Sequence, residues 1–393
     1  MGQGKGKGHS FRREKVVLTT ILANYSSYLV SAGYFILVLG ILVFVHEFGH
    51  FLLAKKLGVG VITFSLGFGP KLIGRKIGET QYQISAVPLG GYVKLIGEDR
   101  GDEVKEEDRA RSFSFQPIWK RTLIICAGPF FNMFLTLVIF CFSFGFFGIP
   151  QEPLPLPPKI GGLSSGLPAE KAGLKTGDVI LSIDSTPITT WNDLSSIIRK
   201  SEGKELSIKV KRNEEIIEFR IRPEISKEKI EQGEKTVYVI GIVAPYEEMI
   251  FRYKRVGPLE AVYEGSLQTW HLTKLMVVIF GKLFSGEISP KTIGGPIQIA
   301  QEAGKQGKKG LRYLLGLIAI LGINLGLINL FPIPILDGGH LLFLAMEEIL
   351  GRPLSMKKME IAQQIGLILL ILLMIYAFHN DLRRIIFPGG YGF

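Results

Sequence analysis

The chain has 393 residues, 47% of them apolar and 21% charged, with a mean hydropathy of +0.29; that is too apolar for an ordinary soluble protein of two or three domains. Lys and Arg number 46 against 35 Asp and Glu, a net +11. The surplus is spread along the loops without the aromatic-interleaved basic stripe that nucleic acid needs, so it excludes a nucleic-acid partner and is read as loop charge facing membrane lipid.

Four uncharged runs, 16–45, 122–151, 313–336 and 361–380, are each 20 residues or longer, and about 20 apolar residues cross the ~30 Å hydrocarbon layer as a helix. The expected fold class is therefore a multi-spanning α-helical membrane protein with about four transmembrane helices. Residues 1–27 open with a Gly- and Lys-rich stretch that has no small-residue cleavage pattern, and read as a flexible basic extension and interfacial segment. The first transmembrane helix is placed at 28–54, because a 30-residue run is about 45 Å long as a helix, more than one perpendicular crossing requires.

Residues 55–117 hold ten Lys or Arg and eight Asp or Glu. Their basic enrichment marks the cytoplasmic side and outweighs the five Lys or Arg of residues 5–15, which argue the opposite orientation. Within this loop 80–95 reads as a membrane-associated β-hairpin turning at 88–91 (Pro-Leu-Gly-Gly), with an earlier strand at 61–68. The second transmembrane helix spans 118–150. It contains both cysteines, Cys126 and Cys141, whose 15-residue spacing puts them roughly 22 Å apart on a helix, too far for a bond to each other. Asn132 in this helix is read as a helix-packing hydrogen bond, with Gly128 and Pro129 as close-packing and kink residues.

A Pro-rich stretch, 151–158, reads as an extended linker. A soluble domain follows at 159–245, with strands at 178–183, 205–210, 215–221 and 237–243 and an amphipathic helix over Trp191–Lys200. Its run IGGLSSGLPAEKAGLKTGDVILSIDSTPI (160–188) resembles the PDZ family, with Ser185 where a Gly is usual. That resemblance implies a peptide ligand added as a strand between the 160–163 edge and the 191–200 helix. Residues 258–283 are expected to form an amphipathic helix on the outer face, joined by a Gly/Pro-rich connection to a third, broken transmembrane segment at 311–345; the fourth helix is at 358–380.

The chemistry centres on His46-Glu47-Phe48-Gly49-His50, at the end of the first span. On a helix His46 and His50 stand one above the other while Glu47 lies beside them, the arrangement of a zinc hydrolase with a carboxylate general base. Two imidazoles and a carboxylate inside an apolar helix carry a large desolvation cost unless something binds them. A third ligand is needed, leaving a position for water. The candidates are Asp337 and His340, in NLFPIPILDGGH (329–340), where prolines and glycines break the third span. Asp337 is favoured, since irregular backbone at membrane depth lines a cavity and an ionisable group there needs a partner.

The motifs HEFGH, SLGFGP (65–70), VPLGGYVK (87–94), AGPFFN (127–132) and NLFPIPILDGGHLLF (329–343), with the PDZ-like region, together resemble the site-2 protease class of intramembrane zinc metalloproteases. Within it they resemble the bacterial RseP-type regulators, from about residue 34 onward. The resemblance implies one Zn²⁺ per chain on His46, His50 and Asp337, Glu47 as general base and Asn329 as a substrate-backbone contact. It further implies an inner-membrane protein whose PDZ domain is inserted on the extracytoplasmic side, and single-span membrane proteins as substrates, such as a truncated anti-sigma factor. Several relatives carry two PDZ modules, whereas 159–245 has room for one. A non-catalytic PDZ-bearing adaptor is the alternative function. A transporter fits less well, because paired repeats with broken helices in both halves are missing.

Overall fold

The computed structural model describes the backbone of residues 7–98, 104–230, 233–246 and 249–386. In chain order the elements are α1 (Lys7–Lys56), β1 (Val61–Ile77), β2 (Thr80–Leu95), α2 (Ile118–Phe147), β3 (Ile149–Pro153), β4 (Gly162–Leu163), α3 (Pro168–Lys171), β5 (Val179–Ile183) and β6 (Thr186–Pro187). They continue with α4 (Trp191–Lys200), β7 (Leu206–Arg212), β8 (Glu215–Ile221), β9 (Glu224–Ile230), β10 (Gly233–Val239), β11 (Ile242–Val243) and β12 (Phe251–Lys254). The helices α5 (Pro258–Phe284), α6 (Pro296–Lys309), α7 (Leu311–Asn329), α8 (Asp337–Leu350) and α9 (Met356–Ile386) complete the chain. The residues fall into two compact units: one runs to Phe147 and resumes over Arg255–Leu382, and the other comprises Gly148–Lys254 with the end of α9 from Arg383.

Among the described residues, four helices are long and apolar enough to cross a membrane: Tyr28–Lys56, Ile118–Phe147, Leu311–Asn329 and Met356–Ile386. The flexible extension expected over 1–27 is not what the backbone shows from Lys7 onward, where α1 is one continuous helix of 50 residues; residues 1–6 lie outside the described ones. No proline interrupts that stretch, so nothing local ends the helix before the apolar run begins. Gly49 of α1 sits so close to α2 that a Cβ there would lie 2.5 Å from the Ala127 carbonyl oxygen. A core of Val38, Leu42, Ile139, Ala303, Leu314 and Ile318 joins α1, α2, α6 and α7.

The β-region departs from a self-contained hairpin at 80–95. The turn lies at 78–79, and Val61–Ile77 pairs with Thr80–Leu95. Residues 63–66 face both 91–94 and 81–84, so the Pro88–Gly91 turn signal marks a crossover and not a tight hairpin. The short-range pattern contains both strands but carries no information about which segment lies between them.

The 258–283 segment forms a helix as expected, α5, which packs lengthwise on α2: a Cβ on Gly265 would meet Cys141 at 2.8 Å, and Phe280 and Phe284 reach the Phe331 ring at 5.3 and 5.7 Å. The buried Ala261, Gly265 and Leu272 form the contact stripe, and small residues permit such close approach. The connection before the third span contains a helix of its own, α6, begun by Pro296 at its first turn and ended at Gly310, whose φ is +116°.

In the second unit the strand order is β6-β5-β7-β8, with β4 on β11 and β9 on β10. The helix α4 matches its expected bounds; Thr190 and Asp193 form a capping box at its start, and Leu194 and Ile198 are its buried face. They pack with Ile160, Ile180, Ile183 and Ile208. The stretch read as a linker is partly strand: β3 pairs with β12.

Candidate metal centre

The third span breaks as expected, between α7 and α8. Pro332 and Pro334 deny the backbone two N–H donors, and Gly338 and Gly339 lie where a Cβ would be 2.3 Å from the carbonyl oxygens of Leu330 and Ile333. This fold-back puts Asp337 at the first position of α8. A buried ion pair holds α8 in place: Arg121 of α2 donates to both carboxylate oxygens of Glu347 at 2.7 and 3.2 Å, and its Nε donates to the Gln116 carbonyl at 3.0 Å. Both Arg121 and Glu347 lie outside the expected site. Each is one charge in a charged-residue background, and only their pairing across the fold marks them.

Two stretches far apart in the sequence meet at the break. Asp337 Oδ2 lies 3.2 Å from His46 Nε2 and Oδ1 lies 3.6 Å from His50 Nε2. The two Nε2 atoms are 3.3 Å apart, with ring planes at 83°. His46, His50 and Asp337 offer ligand atoms that all lie within 4.8 Å of one another, and form the group of this kind found among the described residues. His340, the other candidate, is not in the cluster; it lines the adjoining cavity and its ring stands 6.2 Å from that of Phe343.

The donor set fits a zinc ion. Asp337 Oδ2 is buried and makes no hydrogen bond, its nearest polar neighbour being His46 Nε2 at 3.2 Å, and a buried carboxylate oxygen so placed is costly unless a cation meets it. Two imidazole nitrogens and a carboxylate oxygen are the ligands that zinc takes in open, catalytic sites. Space is provided by α2, since a Cβ at Gly128 would stand 2.2 Å from His50 Nε2 and 2.7 Å from His46 Cε1.

Glu47 faces the sheet. A Cβ on Gly91 would be 3.1 Å from its Cγ, and Val93 lines the same cavity. Asn329, at the end of α7, brings its amide Nδ2 to 3.3 Å from His46 Nε2. The five expected site residues, His46, Glu47, His50, Asn329 and Asp337, thus line one cavity of about 980 Å³, with Gly91 and Tyr92 of β2 on its wall.

The sequence matches Peptidase family M50 over residues 34–373. A Brucella suis protein, provisionally named a zinc metalloprotease, is 38% identical over 88% of this chain and 94% of its own. The regulator of sigma-E protease RseP of Salmonella typhimurium is 31% identical over 89% of this chain and 98% of its own. Among solved structures, a PDZ domain from Listeria monocytogenes aligns with 25% of this chain at 18% identity and a TM-score of 0.19.

Proposed function

This chain belongs to peptidase family M50 and is a zinc metalloprotease of the site-2 type; on that premise we propose that it holds one zinc ion per chain on His46, His50 and Asp337 and cuts single-span membrane proteins with Glu47 as general base. The observation that carries this reading is the convergence of three ligand atoms within 4.8 Å, two from a helix apolar enough to cross a membrane and the third from the start of α8, with Glu47 in the same cavity.

Zinc bound there supplies a Lewis acid that polarises the scissile carbonyl and acidifies water. Glu47 takes a proton from the attacking water and hands it to the leaving nitrogen as the C–N bond breaks. A helical substrate hides its carbonyls in hydrogen bonds, so the cut segment is held extended. The 91–95 stretch of β2 pairs with it as an added strand, and Asn329 holds a freed backbone group.

The Salmonella relative is a regulator of sigma-E protease, and a truncated anti-sigma factor or a similar single-span protein is the substrate class for this chain. Its site is the inner membrane, with the 159–245 domain as a PDZ module on the extracytoplasmic side, binding a peptide or barring bulky ectodomains. The test is co-expression with single-span proteins already truncated outside the membrane. The wild type cuts them and Glu47→Gln does not; equal cleavage by Glu47→Gln rejects the base, and no cleavage by either favours the adaptor.

A further inference from the structure

Each imidazole has two nitrogens, and the cluster uses Nε2 of both His46 and His50. A nitrogen that binds a cation must present a lone pair, so the ring proton has to sit on Nδ1, and whatever Nδ1 touches fixes that tautomer. For His50 the partner is plain: Nδ1 lies 2.8 Å from the carbonyl oxygen of Ile124, which can only accept. For His46 the partner is Asn132, whose Nδ2 lies 3.3 Å from Nδ1.

Asn132 is 0% exposed, and its Oδ1 is buried with no hydrogen-bond partner. With the NH₂ groups of Asn132 and Asn329 facing Nδ1 and Nε2, both ring nitrogens meet donors, no position is left for the ring proton, and Oδ1 of Asn132 is orphaned. The two ends of an amide have the same shape, and turning it by half a revolution exchanges them. Oδ1 then accepts Nδ1–H of His46, the orphan is satisfied, and Nε2 turns a lone pair toward Asp337 and His50. One rotation resolves both faults.

Three residues spaced by four along α2 therefore serve the pair: the Ile124 carbonyl for His50, Gly128 as the gap that admits both rings, and Asn132 for His46. Residues at i, i+4 and i+8 share one helix face. The geometry points to Asn132 as a positioning residue that fixes the Nδ1–H tautomer of His46, and so its readiness to bind zinc, through its side-chain carbonyl oxygen. This rests on the reading of His46 as a zinc ligand.

The test compares purified full-length Asn132→Leu, Asn132→Asp and His46→Ala with wild type in a zinc–chelator competition, alongside cleavage of a truncated single-span substrate. Asn132→Leu keeps the volume and loses the acceptor, and its zinc affinity falls about 10- to 100-fold, the usual loss when such a partner goes. Asn132→Asp keeps the acceptor and stays within about threefold of wild type. A residue that only packs gives the reverse order, with Leu tolerated and the buried charge of Asp harmful, and that order overturns the inference. If His46→Ala binds zinc as wild type does, the ligand reading itself fails; if it loses zinc while Asn132→Leu does not, only the role of Asn132 fails. A measurement on the wild type guards against variants that do not fold: ¹⁵N spectra of the zinc-loaded, histidine-labelled protein show both metal-bound rings protonated at Nδ1, and a ring with its proton on Nε2 or a bare Nδ1 overturns the assignment.

Discussion

Two aspartates, one in each unit, stand beside cationic or ionisable partners, Asp178 buried and Asp337 half-buried, and are finished in opposite ways. Asp178 takes hydrogen bonds from Arg212 Nε and Nη2, each at 2.7 Å, and from the Lys175 N–H at 2.9 Å. Both of its oxygens are used. Asp337 stands between two imidazoles at 3.2 and 3.6 Å and leaves Oδ2 without a hydrogen bond. A fully satisfied carboxylate holds a fold together, whereas one aimed with two imidazoles at a common point is arranged as a ligand set for a cation.

The sharpest way to break this contrast is through Glu47. Glu47→Gln removes the base and leaves the ligands, so cleavage of a truncated substrate falls by about 10³-fold or more while zinc content stays at the wild-type level. A parallel loss of zinc would mean that Glu47 acts on the metal and not on the proton. Next comes Arg121→Leu, which strands Glu347 in a buried setting; breaking such a pair costs about 3–5 kcal/mol. It shows as a lower thermal midpoint in detergent together with weaker zinc binding, since α8 carries Asp337.

Gly128→Ala follows, with a Cβ that meets both rings. Zinc affinity drops about 100-fold, and chelator titration against an unchanged circular dichroism spectrum separates this from unfolding. The smallest effect belongs to Asp178. Burial opposes ionisation of its carboxyl, but the hydrogen bonds of Arg212 and of the Lys175 N–H hold it below the ordinary carboxylate range. A folded pKa below the unfolded value of about 3.9 contributes stability above that pH and loses it as the pH falls through the folded value. Hydrogen-exchange protection in β5 and β7 therefore declines below about pH 4 in the wild type, and Arg212→Leu flattens that decline. An unchanged profile would make the Asp178 pair a spectator.

Much of the site is legible in the residues because its geometry is local. His46, Glu47 and His50 lie within one helical turn and a bit, and the Pro and Gly residues around Asp337 announce a broken span by themselves. The bounds of α4 and β8 follow from periodicity and caps in the same way. What escapes the sequence depends on contacts between distant stretches. Asn132 reads as an ordinary packing amide until its neighbour is seen to be His46, and Arg121 and Glu347 are unremarkable singly. The lie of α5 along α2 follows from a stripe of small residues whose partner the sequence does not name, and α6 is short and polar enough to pass for a loop, although Pro296 and Gly310 mark its ends.

Metal binding here requires Asp337 to act together with the two histidines. Zinc stoichiometry of purified wild type and Asp337→Ala, measured after equilibration with the same chelator, tests it most directly. About one zinc per chain in the wild type and a small fraction of that in Asp337→Ala is the predicted result. Equal zinc in both, held with equal affinity, would contradict it.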